Sequence, residues 1–178
     1  MKKYYFLFFL PLVVLTQCTV YGFTNDYKKL SDREKTLIHS FTNMESVQPK
    51  HIYKINALQL RNELKKNEKS LVYVFTNGCS SDLCRPMIAY ENYAKENGYT
   101  LFLVMTGYGH LNQTLVQNFN SPLFAIDNDF YDSSIRFKYC KKFENQLEGK
   151  PINAKQEYKG SIYIFQKDKL IEIKRDIE

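Results

Sequence analysis

The residue types and spacing best suited to chemistry are those of Cys79 and Cys84, within the stretch LVYVFTNGCSSDLCRPM at positions 71–87. Two thiols on one short loop can pass between dithiol and disulfide, with a thiolate as the attacking species. The elements needed to position them are legible around them. Residues 71–75 form a continuous apolar run, the pattern of a strand covered on both faces, and Gly78 stops it. Asp82 is a candidate N-cap and Pro86 is tolerated only in a first helical turn, so a helix is predicted over 82–97 with Cys84 near its N-terminus. The dipole there favours thiolate.

The chain opens MKKYYFLFFLPLVVLTQC, two lysines followed by an apolar run over 4–15 and then Cys18. The run is short for a transmembrane span and has the order of an export signal. A cysteine just after it resembles the lipobox of bacterial lipoproteins, which implies that residues 1–17 are removed and Cys18 becomes an acylated anchor. Gln17 departs from the small residue usual before that cysteine, so plain cleavage or an uncleaved anchor stand as alternatives. Residues 18–27, polar and without periodicity, then read as a lipid-anchored tether, and 28–178 as one domain. Losing Lys2 and Lys3 lowers the formal charge from +6 to +4. Lysines alternate with acids over 28–34, 62–69 and 165–178, the pattern of solvated faces, and nucleic acid is excluded as a partner.

Ser31 and Glu34 form a capping box ahead of Leu37, Ile38 and Phe41, predicting a short helix. A strand is expected over 52–55, and a helix capped by Asn56 runs to about 66 with Leu58, Leu60 and Leu64 buried. After the cysteine loop, Met87, Ile88, Tyr90, Tyr93 and Ala94 mark a helix face ended by Asn97-Gly98, and 99–105 is a second apolar strand. Further helices are expected over 111–119 and 130–147, a strand over 123–126, and a hairpin from 162–165 and 170–174. No glycine-rich phosphate loop or His-Glu metal signature occurs, and the many Tyr and Phe residues suggest packing rather than a cofactor.

This order, with two cysteines between the first long strand and its helix, resembles the thioredoxin fold, closest to exported, membrane-tethered thiol-disulfide oxidoreductases. The resemblance spans about 52–177. It implies an α/β domain with a central mixed sheet flanked by helices and a C-terminal β-hairpin. It also implies a Cys79/Cys84 disulfide with Cys79 attacking and Cys84 resolving, no cofactor, and another exported protein as partner at the cell envelope. The chain departs from the family in three ways. Four residues, not two, separate the cysteines; an all-helical span would hold their Cα atoms about 8.6 Å apart, beyond the roughly 7 Å a disulfide bridges, so Cys79 must lie in the loop. The family's cis-proline is absent from Lys159-Gly160-Ser161-Ile162, where Ser161 takes its place. No tryptophan precedes Cys79, and no helix follows the hairpin.

Three uses of the pair stay open: a redox dithiol, a structural disulfide in a non-catalytic binding module that presents its hairpin edge, and a metal site. The last follows from Val74-Phe75-Thr76-x-x-Cys79, which resembles the copper-chaperone branch of the fold. That branch needs a third ligand; His110 and Cys140 are the candidates by type, and neither matches its histidine motif. Cys140 reads as a half-buried helix residue, Asp127 as a surface residue ending a strand, and no acid is identified as the family's buried proton shuttle.

Overall fold

The described residues of the computed structural model are 20–79, 81 and 84–177. The expected export segment, the expected anchor Cys18 and the N-cap candidate Asp82 lie outside them.

Besides two short 3-10 helices, twelve α-helices and β-strands are described: α1 (Asp32–Lys35), β1 (Ile38–Ser40), β2 (Ile52–Ile55), α2 (Ala57–Leu64), β3 (Lys69–Phe75), α3 (Met87–Glu96), β4 (Thr100–Met105), α4 (Leu111–Leu115), β5 (Leu123–Ile126), α5 (Arg136–Leu147), β6 (Ile162–Gln166) and β7 (Lys169–Lys174). The strands form one seven-stranded mixed sheet in the order β1-β2-β5-β4-β3-β6-β7. β1 to β5 are mutually parallel, β6 runs antiparallel to β3, and β6 and β7 form the expected hairpin.

The period-2 alternation of the strands divides the core in two. Val72, Val74, Phe102, Val104, Phe124 and Phe165 face α2 and α5, with Leu60, Leu64, Tyr139 and Phe143 opposite them. Leu71, Tyr73, Phe75, Leu103, Met105 and Ile162 face the other way, onto Met87 and Tyr90 of α3 and Leu111 of α4. The last six residues of β3 are buried, and β4 and β6 flank the strand, which is central as its unbroken hydrophobicity predicts.

Several expectations are corrected. The Ser31–Glu34 capping box forms, but its helix ends at Lys35. Ile38 instead enters β1, parallel to β2. In α2, Leu60 and Leu64 are fully buried with Ala57 while Leu58 is 49% exposed. Positions 57, 60 and 64 share one helical face, and 58 falls off it. The fifth helix begins at Arg136 rather than 130.

The tether expected over 18–27 is, from Gly22 onward, part of the fold. Asn25 O accepts from Tyr108 N at 2.7 Å, Phe23 O from Arg136 N at 2.9 Å, and Asn25 Nδ2 donates to Asn128 Oδ1 at 2.6 Å. Asp26 is buried and accepts from Gly22 N and Lys29 Nζ, each at 2.7 Å. These bonds need tertiary partners far along the chain, which composition does not register. Among the described residues, no helix is long and apolar enough to cross a membrane.

Candidate functional site

β3 carries the chain out of the core at its C-terminal end, where the parallel strands β4 and β5 also end. Thr76 is exposed, and its hydroxyl lies 3.0 Å from that of Thr106 at the end of β4. Asn77 then turns inward and is buried. Its Nδ2 donates to Gly107 O at 2.8 Å and its Oδ1 accepts from Thr114 Oγ1 at 2.6 Å, tying the loop root to the β4–α4 connection and to α4. Gly78 follows with φ +68°, and a Cβ there would come within 2.8 Å of His110 Cβ and Gln113 Oε1, so the turn admits only glycine.

Cys79 is exposed and Cys84 half-buried, in the loop between β3 and α3. The pair stands at disulfide distance, with Cα atoms 6.0 Å apart, well inside the bridging range. The loop conformation therefore achieves what six consecutive helical residues would not. Cys84 N donates to Ser81 O at 2.8 Å.

The helix does not reach back to Cys84. Pro86 occupies the N-cap position with extended backbone, and α3 begins at Met87. A proline disfavours helical backbone at the preceding residue, so Arg85 stays outside the helix. Pro86 has no capping side chain, and Gln117 Oε1 supplies that function by accepting from Met87 N at 2.9 Å. One of the end's amide donors is thereby already used, which weakens the dipole contribution expected at Cys84.

An open cleft of about 520 Å³ lies against both cysteines, walled by Asn77, Arg85, Met87, Gln113 and Gln117. Tyr73 forms part of its lining, with its ring stacked on Tyr90 at 3.9 Å between centroids. Burial raises the Tyr73 hydroxyl far above its ordinary pKa, and the Tyr90 hydrogen bond adds to the effect. Burial also raises Tyr90. Both are neutral hydroxyls at physiological pH.

Arg85, in the lining of the cleft, is held in an ion pair. Arg85 Nε and Nη2 donate to Asp176 Oδ1 and Oδ2 at 2.7 and 2.9 Å, a two-pronged contact between the cysteine loop and the segment after β7. The roles of Asn77, Gln117 and the Arg85–Asp176 pair carry no signal in the sequence. Their partners are 30 or more residues away, and no local pattern announces them.

The remaining candidates lie elsewhere or have other partners. His110 is exposed, with φ +57° at the N-cap of α4, and its ring packs on Tyr21 at 4.3 Å between centroids. Cys140 is half-buried on α5, as expected, and burial raises its thiol well above the usual range, with Glu144 adding to the shift. Such a thiol is a poor nucleophile. Asp127 is half-buried rather than a free surface acid, and its Oδ1 is 3.8 Å from Lys54 Nζ. Among the described residues, no three His, Cys, Asp or Glu side chains gather as a metal site.

Ser161 lies at the start of the hairpin, beside the end of β3. Its carbonyl accepts from Val74 N at 2.8 Å, and its N–H donates to Lys174 O at 3.1 Å. No cis peptide occurs among the described residues. Gly160 is held by close approach, since a Cβ there would overlap the Lys174 carbonyl. No protein-family model, curated protein or solved structure matches this chain.

Proposed function

We propose that this chain is an envelope thiol-disulfide exchange protein with a thioredoxin-like domain, held to a membrane through Cys18. The observation that carries the reading is the asymmetry of the cysteine pair: an exposed Cys79 and a half-buried Cys84 at bridging distance, beside an open cleft at the end of the central strand. The exposed cysteine can meet an incoming chain while the half-buried one stays within reach of it. Support for the fold reading comes from the placement of the loop between β3 and α3, the antiparallel hairpin beside β3, and the strand β5 inserted between β2 and β4.

In the reducing direction, the Cys79 thiolate attacks one sulfur of a partner disulfide. The Cys79–partner S–S bond forms as the partner's S–S bond breaks, and the second partner sulfur leaves as a thiolate. Cys84 thiolate then attacks Cys79 Sγ, the internal bridge forms, and the first partner sulfur departs. Two electrons have passed to the partner, and the reverse sequence oxidises it. The partner is another exported protein, and no soluble cofactor takes part.

A Cys84→Ser variant removes the resolving sulfur and should accumulate a mixed disulfide through Cys79 with an envelope protein. The second reading, a non-catalytic binding module with a structural bridge, is favoured by the trans backbone and internally bonded N–H at Ser161, where the family uses a cis-proline beside the docking backbone. It prevails if no adduct forms and the wild-type bridge has a reduction potential below about −300 mV.

A further inference from the structure

We propose that the domain lies directly on the bilayer surface, seated on its N-terminal strap, so that Val20, Tyr21, Phe23 and Phe137 enter the lipid interface and the cysteine cleft opens beside it. The proposal rests on the reading of Cys18 as the anchor. The strap from Gly22 to Asp26 is bonded to the β4–α4 connection, to Asn128 and to the start of α5, and it cannot act as a spacer without breaking those bonds. Between Cys18 and Tyr21 stand only Thr19 and Val20. Fully extended, that reach is on the order of 10 Å, less than the roughly 15 Å radius of gyration of a domain this size. An anchor at Cys18 therefore brings this face of the domain to the membrane.

Large apolar side chains are exposed on the strap and at the start of α5, with Lys29 over the Tyr21 ring and Arg136 beside Gly22. Val20 is 69% exposed, Phe23 67% and Phe137 75%. Thr24 bridges antiparallel to Ile135 and Phe23 O bonds Arg136 N, which brings the stretches bearing Phe23 and Phe137 together. Tyr21, also exposed, adds a ring with a polar tip, suited to the interface between headgroups and acyl chains.

The strap and the cysteine loop lie at the same end of the sheet, where β3 and β4 finish. Tyr21 packs on His110, and His110 Cβ abuts Gly78, which directly precedes Cys79. A membrane that covers the strap thus lies beside the cleft.

The chain contains no tryptophan, so a single introduced one reports its own position. Phe23→Trp and Ile171→Trp place it at the proposed contact and on β7, near the hairpin turn at the opposite end of the sheet. Each full-length protein is isolated from membranes, its mass taken for acylation at Cys18, and reconstituted into phosphatidylethanolamine/phosphatidylglycerol vesicles with plain or brominated acyl chains. Flotation reads the anchor. Bromolipid should quench Phe23→Trp at least twofold and shift its emission to the blue, leaving Ile171→Trp unchanged, and Phe137→Trp should repeat the Phe23→Trp result. Chains that float with Phe23→Trp and Phe137→Trp quenched no more than Ile171→Trp overturn the seating and leave the anchor standing. Unacylated chains that do not float overturn both.

Discussion

Removing the Asn77 side chain tests whether the cysteine loop is held from below. Asn77 is 4% exposed and bridges Gly107 O and Thr114 Oγ1, both in buried residues. Asn77→Ala leaves these two polar groups without that partner, at about 1–3 kcal/mol each. The cleft borders Asn77, so water can reach the vacated space and offset part of the cost, which sets the expected loss at about 2–4 kcal/mol. For a chain of this length that is a fall of roughly 5–15 °C in Tm. Urea unfolding at 25 °C followed by circular dichroism reads the free energy, and a thermal scan reads the midpoint. Asn77→Asp keeps the acceptor for Thr114 and loses the donor to Gly107, so it should fall between wild type and Asn77→Ala. Thr114→Val combined with Asn77→Ala should cost less than the sum of the two single losses, because both act on one contact. A loss below about 1 kcal/mol for Asn77→Ala, or strict additivity in the double variant, would refute the reasoning.

Two further outcomes are expected. Burial raises the Glu144 carboxyl from its ordinary 4.5 to about 7, against an opposing hydrogen bond from Gln156. Between those values the folded chain keeps a proton that the unfolded chain has lost, so the contribution of Glu144 to stability falls as pH rises from about 4.5 to 7 and then levels. The change is on the order of 2–3 kcal/mol, and Glu144→Gln should remove it from a pH series of urea midpoints; an unchanged slope would contradict the assignment. Unreduced peptide mapping should find Cys79 joined to Cys84 and Cys140 free, whereas Cys140 bridged to either would turn the pair into part of a structural staple.

The division between what sequence alone determined and what the fold decided follows the range of the interactions. Local periodicity and capping chemistry act over a few residues, which is why β3 could be read as a covered strand from positions 71–75, why the Ser31–Glu34 capping box and the Asn56 cap were in place, and why the closing hairpin formed where its turn residues put it. The loop position of Cys79 was likewise legible, because helical geometry alone excludes bridging over that spacing. The same local reasoning failed where a distant partner outweighed it. Leu37–Phe41 read as a helix continuation, yet pairing with β2 drew Ile38 into a strand. The polar segment 22–26 read as a tether, yet backbone groups of Tyr108 and Arg136 pin it to the domain. Asn77, Gln117 and the Arg85–Asp176 pair shape the cleft through contacts 30 to 91 residues apart. A residue's type shows which bonds it can make, and only the folded chain brings the partner within 3 Å.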